Sequence, residues 1–181
     1  LAPGYIALPG PMGAHNWHPM AYSPDTQLAY IPANRILQGY GDLNPDDPSN
    51  SFWNIGYDLA AGLPSVYPKG TLEAIGKEIS GSLLAWDPVA GKPAWEVPHI
   101  TTGNGGILST ASGLVFQNTL MGEIVAYDAR TGERLWSSPL NNPTSAPVMT
   151  YKVDGEQYLA TATGVGGSWG VTYGFAWSEQ A

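Results

Sequence analysis

One eleven-residue pattern occurs twice, and its two copies start 41 positions apart, at residues 85 and 126. Ala85-Trp86-Asp87-Pro88-Val89-Ala90-Gly91-Lys92-Pro93-Ala94-Trp95 and Ala126-Tyr127-Asp128-Ala129-Arg130-Thr131-Gly132-Glu133-Arg134-Leu135-Trp136 share Ala, Asp, Gly and Trp at the same four places. Repeats of about 40 to 45 residues are four-stranded propeller blades, each too small to bury its apolar face without a neighbour. Within each copy Asp stands four residues before Gly, which suits a hairpin turn: the carboxylate accepts turn amides and the glycine takes positive φ. The Trp then opens the next strand, where a large aromatic once per blade reads as a wedge between neighbouring sheets. Asp87 and Asp128 are therefore equivalent turn residues of different blades, not a catalytic pair.

A chain of 181 residues holds about four blade-equivalents at this period, so the fold class is all-β: either a small propeller ring or part of a larger one. With seven Lys and Arg against fifteen Asp and Glu, the net charge of -8 excludes a nucleic-acid surface, which needs clustered basic residues. A charged fraction of 12% beside 23 Gly and 16 Pro reads as a rigid, loop-rich β protein. Cysteine is absent, which removes disulfides and thiolate metal sites within the chain. Leu1 stands where a start Met would, and no signal peptide or run of about 18 apolar residues is present, as expected of a processed or truncated chain.

Along the chain, Pro19–Tyr22 and Leu28–Ile31 predict a hairpin turning at Ser23-Pro24-Asp25-Thr26. Residues 34–80 depart from the pattern and are read as a long insertion between blades, with one or two helical turns over Thr71–Ile79; a loop that long carries function or covers something. From Gly81 strands return in order, giving one complete blade and the edges of two others. The last hairpin turns at Val153-Asp154-Gly155-Glu156, an Asp-Gly turn. The stretch Gly164-Val165-Gly166-Gly167-Ser168-Trp169-Gly170 offers close backbone approach to something flat.

The repeat element resembles the tryptophan-docking motif of the eight-bladed quinoprotein alcohol dehydrogenases, which hold pyrroloquinoline quinone (PQQ) and Ca²⁺ on the propeller axis. Gly13-Ala14-His15-Asn16-Trp17-His18-Pro19-Met20, the run from Asn104 to Gln117, and Asp154-Gly155-Glu156-Gln157-Tyr158 are similar to successive landmarks of the C-terminal half of such enzymes, above all the ethanol-oxidising, haem-carrying branch. The resemblance implies part of an eight-bladed propeller over residues 1–181. It implies cofactor contacts from Asn16, Trp17 and the glycine turn at Gly164 and Val165. A flat tricarboxylic quinone suits these groups: an amide for its oxygens, an indole for its ring, and glycine amides at close range. Two positions depart from the family: Gly103 and Val165 stand where it often has Trp, leaving the cofactor edge less enclosed.

The same resemblance places the Ca²⁺ ligands, the aspartate base, the cofactor-stacking Trp, a Lys or Arg beside the quinone and a vicinal disulfide on earlier blades. None can be placed in this chain, which alone is predicted inactive. The implied whole is a periplasmic enzyme oxidising a primary alcohol to an aldehyde. Its partners are the remaining blades, the small alcohol, and a cytochrome or a haem c domain as acceptor. The alternative is a non-catalytic periplasmic scaffold built from the same repeat and binding other proteins.

Other groupings are weaker. His15 and His18 lack a third metal ligand, and Asp42, Asp46 and Asp47 lack the glycine and terminal Glu of an EF-hand loop; structural and solvated roles are the better readings. Ser109, Ser145 and Ser168 have no nucleophile-elbow context. An incomplete ring would also expose blade edges that template association.

Overall fold

A computed structural model describes residues 5–10, 12–40 and 79–165 of the 181. Among them all regular structure is strand. The helical turns expected over Thr71–Ile79, the acidic group Asp42, Asp46 and Asp47, and the glycine run from Gly166 onward lie outside the described residues, apart from Ile79, which is in no regular element.

The chain divides into two compact units, one of residues 1–16 and 34–80 and a larger one of residues 17–33 and 81–181. In the smaller, β1 (Tyr5–Ala7) pairs antiparallel with β4 (Gln38–Tyr40). Gly10 N donates to the Ile36 carbonyl at 2.7 Å and Asn34 N to the Ala14 carbonyl at 2.8 Å, and Ile36 is buried. Three-residue strands carry too little alternation to be read from sequence.

The larger unit holds two four-stranded antiparallel sheets. The first runs β2 (Ala21–Ser23), β3 (Leu28–Arg35), β5 (Ser80–Asp87), β6 (Lys92–His99), and the second β7 (Ile107–Ser109), β8 (Leu114–Thr119), β9 (Glu123–Asp128), β10 (Arg134–Pro139). A hairpin follows, β11 (Met149–Val153) and β12 (Glu156–Ala160), its turn held by positive φ at Asp154 and Gly155. Two complete sheets stand where one blade and two edges were expected. The reason corrects a second expectation. Strands β3 and β5 are neighbours in one sheet, so the stretch read as an insertion between blades leaves and returns within a single sheet.

Burial follows the alternation of side chains across a pleat. Leu28, Tyr30, Leu83 and Ala85 of the first sheet form one core cluster with Ile107, Val115, Val125 and Tyr127 of the second. The opposite face of the second sheet sends Phe116, Ile124 and Ala126 into another cluster with Val148. Covered on both faces, β8 and β9 are buried almost throughout, whereas the fourth strands β6 and β10 are mostly exposed. Burial pushes the Tyr127 hydroxyl up to about 12, with the Arg134 charge lowering it and that of Glu123 raising it less strongly.

The repeat turns are built alike. Asp87 Oδ1 accepts from the amides of Val89 and Ala90 at 2.9 and 2.8 Å, and Asp128 Oδ1 from those of Arg130 and Thr131 at 2.8 and 2.9 Å. Gly91 and Gly132 close the turns at φ 64° and 74°. In each copy the residue before the Trp, Ala94 or Leu135, is extra in the ladder, and the Trp pairs with the repeat's own Ala. Such a bulge re-aims the side chain beside it. Trp95 wedges as expected: its Nε1 donates to the Ala129 carbonyl of the second sheet's turn at 3.2 Å, and the ring lies against Gly132, where a Cβ would sit 2.7 Å from Cε3. The same carbonyl accepts from the Tyr30 hydroxyl at 2.9 Å.

Candidate functional site

The connections entering β2, β7 and β11 converge in the larger unit, and small residues make this possible. Ile107 N donates to the Pro19 carbonyl at 2.8 Å, and a Cβ on Gly106 would lie 2.6 Å from Pro19 Cγ and 3.0 Å from Pro147 Cβ. A Cβ on Gly105 would lie 2.5 Å from the Ala146 carbonyl oxygen. The connection over residues 101–106 is buried throughout. Buried backbone needs partners, and side-chain amides supply them. Asn104 Oδ1 accepts from Thr101 Oγ1 at 3.0 Å and from Leu120 N at 3.1 Å. Gln117 Nε2 donates to the Gly105 carbonyl at 3.0 Å, and Asn118 Nδ2 donates to the Ala146 carbonyl at 2.8 Å and to Thr161 Oγ1 at 2.6 Å.

This polar framework holds the segments carrying the expected site residues. Trp17 is 53% exposed and stacks on buried His18, ring centroids 4.0 Å apart and 23° from parallel. His18 thus has a packing role, as the structural reading of the histidines expected. Gly164, at φ 114° with nothing within 4 Å of a Cβ position, bridges to Thr144, while Val165 is 39% exposed. Pro19 ties the Trp17 segment to Gly106 and Pro147; Thr161 ties the Gly164 segment to Asn118. Asn16 is grouped with the smaller unit, where its Nδ2 donates to the Met12 carbonyl at 3.0 Å.

Sequence reasoning missed His99, whose Nε2 meets Gln117 Oε1 at 2.9 Å. An amide oxygen only accepts, so Nε2 carries the proton. Burial lowers the His99 pKa below its ordinary value, against a smaller opposing effect of the Gln117 bond. The native state then binds fewer protons than the unfolded chain just below pH ~6.5, so this group's stabilising contribution declines as pH falls from there through the folded pKa. His99→Gln keeps an amide donor without titrating. Its urea midpoint should change less between pH 7.5 and 5 than the wild type's, and equal pH dependence in the two proteins would refute the assignment. Among the described residues no group of three or more His, Cys, Asp or Glu is placed to hold a metal ion.

Residues 84–159 match the β-propeller domain of the glucose/ethanol/alcohol dehydrogenases that is named for PQQ. Across 165 residues, 90% of the chain, it is 44% identical to quinohemoprotein alcohol dehydrogenase ADH-IIG of Pseudomonas putida. The solved structure of that enzyme superposes with a TM-score of 0.78 over 93% of this chain. The chain belongs to the quinoprotein alcohol dehydrogenase family. Its all-β sheets are part of that family's propeller.

The quinohemoprotein alcohol dehydrogenase of Comamonas testosteroni is 42% identical over 94% of the chain, and its crystal structure superposes with a TM-score of 0.75. A europium-containing methanol dehydrogenase superposes at 0.69 with 26% identity. The chain spans about a quarter of these proteins, 23% of the two curated relatives and 25% to 28% of the solved chains. The family match takes in both repeat turns and the β11–β12 hairpin. Asn16 and Trp17 precede it, and Gly164 and Val165 follow it.

Proposed function

We propose that this chain is a propeller segment of a PQQ-dependent alcohol dehydrogenase that oxidises a primary alcohol to an aldehyde in the periplasm and passes the electrons to a cytochrome or a haem c domain. What carries this reading is the 44% identity to a quinohemoprotein alcohol dehydrogenase across nine-tenths of the chain. The remaining blades belong to the same protein, and Ca²⁺ with its ligands and the catalytic base is assigned to them. The dock of Trp95 on the Gly132 turn is the family's tryptophan-docking motif in this reading.

PQQ supplies the two-electron oxidant when bound. The residues present suit a flat ring system. Trp17 presents an indole face backed by the His18 ring, and Gly164 leaves open space where a side chain would block backbone approach. Val165 stands beside it, half-exposed. These groups bind and orient the ring; moving the alcohol proton falls to a base on another blade.

The test uses the complete polypeptide and the 181-residue chain side by side. With PQQ and Ca²⁺, the complete protein should reduce an electron-acceptor dye with primary alcohols while the chain alone does not. Trp17→Ala in the complete protein should weaken PQQ binding about 3- to 10-fold, the worth of one aromatic stack. Absence of PQQ-dependent turnover by the complete protein, or turnover by the chain alone, would overturn the proposal.

A further inference from the structure

Two consecutive residues of β8, Gln117 and Asn118, are amides with no exposed surface. Gln117 uses both ends of its amide, the oxygen on His99 and the nitrogen on the Gly105 carbonyl. Asn118 uses one. Its Nδ2 donates to the Ala146 carbonyl at 2.8 Å and to Thr161 Oγ1 at 2.6 Å, and because a carbonyl only accepts, the nitrogen must lie on that side. Its Oδ1 then meets no partner among the described residues. Burying an unpaired amide oxygen costs stability, and an apolar side chain would avoid that cost. The stability of the sheet therefore does not by itself call for an amide at this position; the two bonds that the nitrogen donates do.

Those bonds act where the β11–β12 ladder stops. Its last pair is Met149 with Ala160, and Thr161 is the next residue. Having accepted the Asn118 proton, the Thr161 hydroxyl has one proton of its own, which reaches the Pro147 carbonyl at 3.2 Å. Three residues on, Gly164 N donates to the Pro143 carbonyl at 3.1 Å and the Gly164 carbonyl accepts from Ser145 N at 3.4 Å. The segments 143–147 and 161–164 are thus joined at Gly164 and again at Thr161, and the second join is anchored in the centre of the sheet by Asn118. We propose that Asn118 and Thr161 are positioning residues for the cofactor: they act through the Gly164–Val165 turn, not on the ring, and hold that turn where it meets PQQ. This rests on the proposed function, which puts the turn against PQQ. The link also has a separable half. Without the Thr161 hydroxyl, Asn118 still holds the Ala146 carbonyl, and what is lost is the tie to the Gly164 segment.

The test measures the Kd of PQQ for the complete protein, by quenching of tryptophan fluorescence as PQQ is added to the PQQ-free form with Ca²⁺ present. Thr161→Val should raise Kd about 5-fold, the worth of one hydrogen bond. Thr161→Ser, which keeps the hydroxyl, should bind with close to wild-type affinity. Asn118→Ala should weaken binding at least as much as Thr161→Val, and adding Thr161→Val to it should weaken binding no further, because the two side chains act as one link. A merely structural pair would lower the urea midpoint of the PQQ-free protein and leave Kd where it was. Thr161→Val that binds PQQ as tightly as the wild type overturns the inference, an arm that holds even where Asn118→Ala fails to fold. Thr161→Ser as weak as Thr161→Val overturns it too, since the hydroxyl would then not be what counts. In either case the proposed function still stands if Trp17→Ala weakens binding. A complete protein that binds no PQQ overturns both.

Discussion

Replacing Trp95 by alanine is expected to cost about 3 kcal/mol of unfolding free energy, and replacing Trp136 less than about 1 kcal/mol. Both are the last residue of the same repeat, both follow the same bulge, and both pair with the repeat's own Ala. They differ in what they touch. Trp95 gives up its bond to the Ala129 carbonyl, about 1 kcal/mol net, its tilted contact with Tyr30 at 5.7 Å, and the burial of most of its ring against the core. Trp136 is half exposed and loses little in the single chain. Urea unfolding of dilute protein checks the pair, dilution keeping association out of the measurement. Equal losses would mean that the wedge stabilises its own strand and not the contact between sheets. For a domain stable by 5 to 15 kcal/mol, the Trp95 loss approaches the threshold of folding at all.

What could be read in advance follows the range of the interactions. The repeat turns were legible because an Asp carboxylate reaches amides two and three residues on, and a positive-φ glycine closes the same loop: all of it lies inside one short window. The Asp154-Gly155 hairpin was legible for the same reason. Sheet membership was not. Strands β3 and β5 lie side by side although residues 36–79 separate them in sequence, and nothing local to either strand names its partner. Burial of β8 and β9 on both faces also blurred the alternation that would have marked their sheet as central. In the site, Trp17 and the Gly164 turn stood out only through resemblance to a family. The bond between His99 and Gln117 has no signature in either residue's neighbourhood, and appears only once β6 and β8 are placed.

Gly106 gives the second large effect, for a reason opposite to that of the turn glycines. Its φ is not in the left-handed region, so alanine is conformationally allowed there, and the cost is one of space. The added Cβ would fall 2.6 Å from Pro19 Cγ and 3.0 Å from Pro147 Cβ, and neither proline ring can rotate away. Gly106→Ala is therefore expected to cost about 3 kcal/mol, at the upper end for overpacking. Gly113→Ala is the control: φ is 81°, nothing lies within 4 Å of its Cβ position, and the change should cost only the ~1 kcal/mol of a left-handed alanine. A Gly106 variant no worse than the Gly113 variant in urea would show that the Pro19 and Pro147 segments yield easily. If they do not yield, the strain falls on the segment two residues after Trp17. If the proposed function holds, the same substitution in the complete protein should then weaken PQQ binding by shifting the Trp17 segment.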